Sequence, residues 1–220
     1  MEQNEHHDHA PTGRAEQVSG SVHDEWDRRY SDQEQLWSGR PNGALVSQTR
    51  GLPAGRVLDV GCGEGADALW LADNGWEVTA LDVSRVALDR AAAQAALTGA
   101  EVRWLHAGLV EAALPPGSFD LVSAQYPALL RTEDNQAERA LLGAVAVGGI
   151  LLVVHHPPPT AEQVRAHGFD PEVYVGMAQV TALLDDRWQI EVQESRPRHL
   201  TCGAGAGHTD DVILRARRLR

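Results

Sequence analysis

Three glycines at alternate positions, Gly61, Gly63 and Gly65, separate two apolar runs in "LDVGCGEGADALWLADNGWEVTALDVS", and Asp82 closes the second run. Glycine at a strand-to-helix handover allows positive φ and lets a ligand come close to the backbone. The helix start that follows offers unpaired N–H groups. A carboxylate at the end of the next strand can accept hydrogen bonds from both hydroxyls of a ribose. The pair therefore points to an adenosine-type ligand at the crossover point of a parallel sheet. The G-x-G-x-G spacing departs by one residue from the G-x-G-x-x-G of dinucleotide sites, and Asp82 follows 17 residues after Gly65. Cys62 sits inside the turn, either as a nucleophile or as a small packing group. No neighbour in the sequence would polarise its thiol, which favours packing.

Groups that act on a bound ligand must lie on the same edge. His155 and His156 end the run "LLVVHH", ahead of a proline triplet. Histidine titrates near neutral pH and serves as a base or a substrate ligand. Strand alternation sends the two rings to opposite faces, so one of them is expected to face the site. Gln125 and Tyr126 end another run, "FDLVSAQY". Arg50, Arg131 and His199 are candidates for holding an anionic substrate. The cluster "HHDH" at His6 to His9 has no second ligand group at closing spacing, so no metal site is expected.

The elements that position these residues alternate. Strands are expected at "RVLDVG", "WEVTALDV", "EVRWLHA", "SFDLVSAQY", "ILLVVHH", "WQIEVQESRPR" and "TDDVILRARR". Helices are expected at "GADALWLADNG", at "SRVALDRAAAQAALTG" with Ser84 as N-cap and Gly99 as stop, at "EDNQAERALLGAVAVGG" and at "GMAQVTALLDD". Alternation of this kind gives a doubly wound, mostly parallel α/β sheet of seven strands. The last two strands have no helix between them, so the last is expected to run antiparallel. Ahead of the sheet, Val22, Trp26 and Tyr30 share one face of a helix, and a short helix is expected near Ala44 to Thr49. Residues 1–20 are polar and aperiodic and read as a disordered tail, 21–55 as a helical cap or lid, and 56–220 as the ligand-binding domain.

The 220 residues suffice for one domain with a sizeable core, and no apolar run reaches membrane-spanning length. The N-terminal stretch lacks the layout of a signal peptide, and two cysteines give no disulfide framework, so the chain reads as cytoplasmic. A formal net charge of −12 argues against a nucleic-acid partner, which calls for a basic face.

"LDVGCGEGADALWLA", Asp82, "GSFDLVSAQY" and "VGGILLVV", in that order, resemble the class I S-adenosylmethionine-dependent methyltransferases. "WDRRYSDQEQLWSGRPNGALV" is similar to the segment that precedes this domain in their small-molecule branch, which includes tellurite-resistance and thiopurine-type enzymes. The resemblance implies that Asp59 supports the turn and that the backbone of Gly61, Cys62 and Gly63 approaches the methionyl and ribose portion of S-adenosylmethionine. It places Asp82 on the ribose, Val83 on the adenine, and Gln125 and Tyr126 where sulfonium and substrate meet. Many relatives carry an acid after the third strand. Gly108 stands there in this chain, with a backbone N–H or Glu111 as substitute. Tyr30 and Trp37, with Trp26, either cover the cofactor or pack a helix on the domain.

The implied function is methyl transfer to a small-molecule acceptor by in-line displacement. Tyr126, His155 and His156 are the catalytic candidates, and the product is S-adenosylhomocysteine. The alternatives are a methyltransferase acting on RNA, DNA or protein, a nicotinamide-dependent oxidoreductase, and a non-catalytic S-adenosylmethionine-binding protein. The acceptor and the oligomeric state stay open.

Overall fold

The structure is a computed structural model and describes residues 14–159, 171–198 and 209–220. The chain order is α1 (Arg14–Ser31), α2 (Gly43–Thr49), β1 (Arg56–Val60), α3 (Ala66–Asp73), β2 (Glu77–Asp82), α4 (Arg85–Thr98), β3 (Val102–His106) and β4 (Phe119–Gln125). It continues with α5 (Gln136–Ala144), β5 (Val145–His155), a 3₁₀ turn (Pro171–Val173), α6 (Met177–Ala182), β6 (Trp188–Pro197) and β7 (Asp210–Arg218). The strands form one seven-stranded sheet in the order β3-β2-β1-β4-β5-β7-β6. β1 to β5 pair in parallel, and β7 runs antiparallel to both β5 and β6. β6 therefore points the same way as β1 to β5, and its C-terminal end joins theirs.

Two-residue alternation divides the core between the faces of the sheet. Leu58, Val60, Leu81, Val122, Ala124, Leu151 and Val153 are buried against α5 and α6. Val57, Val78, Ala80, Leu121, Ile150, Leu152 and Val154 are buried on the other face with Ala44, Leu45, Ala68 and Leu71 from α2 and α3. Asp59 follows the alternation onto this second face, a carboxylate among apolar neighbours.

Local signals set most boundaries. Ser84 caps α4 by accepting the Ala87 N–H at 3.1 Å, and Gly99 ends the helix in the left-handed region. Two boundaries differ from expectation. The run "VAVGG" belongs to β5, because α5 stops at Ala144 and Val145 pairs with Phe119. β-branched Val145 and Val147 suit an extended chain. At Gly149 a Cβ would stand 3.0 Å from the carbonyl oxygens of Ala146 and Asp120, so only glycine lets the strand come in beside β4. The first helix starts at Arg14, so the boundary drawn at residue 20 falls inside α1. The His6 to His9 cluster, His199 and Cys202 lie outside the described residues. Among the described residues no helix is long and apolar enough to cross a membrane, and no cluster of His, Cys, Asp or Glu is placed to hold a metal ion.

Candidate active site

Strand order leaves β1 towards β2 on one side and β4 on the other. A crevice opens outside the carboxyl ends of the strands at that reversal, where ligands of α/β sheets bind. Here it is a cleft of about 1250 Å³, counted with the solvent at its mouth.

The Gly-rich turn forms its floor. Gly61, Gly63 and Gly65 all have positive φ (70°, 53° and 83°). The N–H groups of Gly61 and Cys62 both donate to the Leu81 carbonyl, at 2.9 and 3.0 Å. Asp82 is the brace. Its Oδ2 accepts the Gly63 N–H and its Oδ1 the Ser84 N–H, both at 2.8 Å. Burial pushes its carboxyl above the ordinary carboxylate range, against the lowering effect of those amides.

Asp59 makes no hydrogen bond to the turn among the described residues. It is 2 % exposed, lines the cleft, and its Oδ2 has no hydrogen-bond partner among the described residues. Burial first, and then the nearby Asp67 and Asp82 carboxylates, hold its pKa well up. A buried acceptor without a donor is costly, and a cationic ligand would relieve that cost. Burial likewise pushes the Cys62 thiol up, with Asp59 and Asp82 adding to it. Cys62 lines the cleft, with its thiol held towards the neutral form.

The N-terminal segment covers this floor through a set of polar ties. Asp27 accepts the Ser84 hydroxyl at 2.6 Å and the Val86 N–H at 3.2 Å. Arg90 donates to the carbonyls of Tyr30 and Gln33 and pairs with Glu64 at 2.9 Å. Glu64 in turn accepts the N–H groups of Leu36 and Trp37. The Trp37 indole donates to the Tyr30 hydroxyl at 2.8 Å. A Cβ on Gly63 would lie 2.8 Å from that hydroxyl, so the cover sits directly on the turn. Tyr30 and Trp37 line the cleft with Trp26, and Tyr30 packs on Leu36 and Ala87. Asn42, with two bonds to Asp67, closes the far side.

At one end Val83, Gly108 and Leu109 form the wall. Glu111 is turned back, accepting the Gly108 N–H at 3.1 Å and facing His23 at 3.5 Å, and does not line the cleft. At the other end Gln125 donates from Nε2 to the Ser123 hydroxyl at 3.0 Å, while its Oε1 is buried without a partner among the described residues.

Tyr126 has left-handed backbone (φ 51°), a strained state for a bulky residue. It is held there by its N–H to the Val154 carbonyl, its hydroxyl to Asp211 at 2.6 Å, the His156 ring stacked at 4.3 Å, and the Arg198 guanidinium 4.4 Å from its centroid. Burial and the Asp211 bond push its hydroxyl pKa up, so it stays protonated.

The two histidines separate as alternation requires. His156 lines the cleft; His155 does not. The His155 Nε2 is buried without a partner among the described residues, and burial lowers its pKa to about 4, which keeps the ring neutral.

The structure thus gathers Asp59, Gly61, Cys62, Gly63, Asp82, Val83, Gly108, Gln125, Tyr126, His156, Tyr30 and Trp37 around one cleft. It leaves out His155, Arg50 and Arg131, the last paired with Glu172 at 2.7 Å. It adds Arg40, Asn42, Asp67 and Arg198. Arg198 was findable, since the strand it follows ends on the same edge once β7 is threaded between β5 and β6.

Comparison with known proteins agrees with this geometry. Residues 57–148 match the methyltransferase domain. The matched residues include the turn, Asp82 and Gln125. An uncharacterised methyltransferase of Mycobacterium tuberculosis (strain ATCC 25618 / H37Rv) is 42 % identical over 105 residues, 47 % of this chain and 52 % of that protein. The chain thus matches about half the length of such curated relatives. Among solved structures, the 1,6-didemethyltoxoflavin-N1-methyltransferase of Burkholderia thailandensis, with S-adenosylhomocysteine bound, superposes with a TM-score of 0.68 at 16 % identity, over 96 % of this chain and 93 % of that one. A protein from work on conversion of a disulfide into a thioacetal in echinomycin biosynthesis superposes at 0.70 with 22 % identity, over 90 % and 92 %. These likenesses establish the Rossmann-like methyltransferase fold.

Proposed function

We propose that the protein is an S-adenosylmethionine-dependent methyltransferase acting on a small molecule, in the small-molecule branch of the class I enzymes. The observation that carries this reading is the buried, unpartnered Asp59 carboxylate beside a Gly turn braced by Asp82. The cofactor is a cation with an ammonium, a sulfonium and a ribose, and the donor-poor acidic floor of the cleft fits it. Asp82 would take the ribose hydroxyls on the remaining lone pairs of its oxygens, Val83 and Leu109 would flank the adenine, and Asp59 would face the ammonium side. The match over 57–148 supports the same assignment.

The bound cofactor supplies a methyl group already activated on sulfur. The chain's own residues then supply position and exclusion of water. Tyr30 and Trp37 cover the floor, and Gln125 fixes the edge where an acceptor would enter. His156 is the cleft-facing group able to take a proton from a protonated acceptor. The small-molecule reading is supported by the covered cleft and by the net charge of −12, which disfavours nucleic acid.

Calorimetry with S-adenosylhomocysteine tests the assignment. Wild-type protein is expected to bind, and Asp82→Ala to lose affinity by a hundredfold or more. Absence of binding to the wild type, or tight binding of NADH in its place, would sink the reading.

A further inference from the structure

The cleft is lined by four acids, Asp59, Glu64, Asp67 and Asp82, and by three basic side chains, Arg40, His156 and Arg198. We infer that the acceptor is a small organic anion, its negative group held by Arg198 with His156 beside it. This rests on the methyl-transfer reading above and names the substrate class for it.

Arg198 carries the argument. Its side chain is only 10 % exposed, so its charge has largely left water. A guanidinium has several N–H donors in a fixed planar fork. Among the described residues this one makes a single hydrogen bond, from Nη1 to His156 Nδ1, at 3.4 Å. Its Nε stands 3.9 Å from Asp211 Oδ1, an ion pair too long for a hydrogen bond. Asp211 is also engaged by the Tyr126 hydroxyl at 2.6 Å and does not line the cleft. Arg198 lines the cleft, where its remaining donors are available to a bound ligand.

Tyr126 marks the position: the guanidinium carbon stands 4.4 Å from its ring centroid, and the His156 ring stacks on the same tyrosine at 4.3 Å. A guanidinium so placed suits the two oxygens of a carboxylate or a comparable oxyanion. Arg40, exposed at the rim and without an ion pair among the described residues, adds positive charge at the entrance.

The test titrates matched acid and amide pairs into protein saturated with S-adenosylhomocysteine: benzoate and benzamide, phenylacetate and phenylacetamide, salicylate and salicylamide. At least one acid is expected to bind tenfold or more tightly than its amide, with a preference that weakens in salt. Arg198→Gln is expected to abolish that preference with S-adenosylhomocysteine affinity unchanged, and Arg198→Lys to keep part of it. The wild-type comparison decides even where a variant does not fold. No acid-over-amide preference in the wild type, or a preference kept by Arg198→Gln, overturns the inference alone. Failure of S-adenosylhomocysteine to bind overturns the methyl-transfer reading and the inference with it.

Discussion

Replacing Asp59 by Asn should make the ligand-free protein more stable and the cofactor complex weaker. Asp59 is buried at the end of β1 with an unpartnered Oδ2, and its pKa is raised chiefly by burial, then by Asp67 and Asp82. A folded-state pKa above the unfolded value means that the acid favours folding only while protonated. The contribution is intact below the unfolded pKa and is lost as pH rises through the folded one. At neutral pH and above the carboxylate is therefore a cost, which the isosteric amide removes. An unsatisfied buried polar group costs about 1–3 kcal/mol, and a charged one more. For a chain of this size that corresponds to a rise in Tm of roughly 3–10 °C. Differential scanning fluorimetry from pH 5 to pH 9 reads it directly. The advantage of Asp59→Asn should be small at pH 5 and grow with pH, and calorimetry should show S-adenosylhomocysteine binding weakened about tenfold or more. An Asn variant that melts at or below the wild type across the whole range would refute the reasoning, because Asp59 would then be structural.

Two more substitutions probe the cover. Gly63→Ala puts a Cβ 2.8 Å from the Tyr30 hydroxyl on a backbone at φ 53°, so a loss of about 1–2 kcal/mol in urea unfolding and a changed Trp fluorescence are expected. Combining it with Tyr30→Phe should recover part of the loss. Arg90→Met cuts the ties to Glu64, Tyr30 and Gln33, and amide exchange across residues 30–38 should speed up while the sheet stays protected. Unchanged exchange there would mean that the cover is held by packing alone.

The turn, Asp82 and the doubly wound sheet were legible because each depends on local chemistry. Glycines mark where the chain needs positive φ, Ser84 and Gly99 mark the ends of α4, and alternating apolar runs mark strands. The bonding of Asp59 was not legible. Whether a carboxylate braces a turn depends on which backbone amides reach it, and here they reach Asp82. The histidine pair was legible as a pair, and only the placement of β5 chose His156. The run "VAVGG" misled because alanine-rich helix and buried strand have similar hydrophobicity. The fit of Gly149 against the carbonyls of β4 decides between them. Arg198 and Asp211 lie thirteen positions apart in the chain and meet only because β7 folds back between β5 and β6.

The cover over the Gly turn has a consequence for timing. Arg90 holds the carbonyls of Tyr30 and Gln33, and Glu64 holds the amides of Leu36 and Trp37, so these residues hang from one ion pair. Such a strap would lift as a unit rather than fray residue by residue. A spent ligand beneath it would leave only as often as that single charged latch breaks. The residence time of a ligand held there would then shorten, and its release quicken, as ionic strength rises.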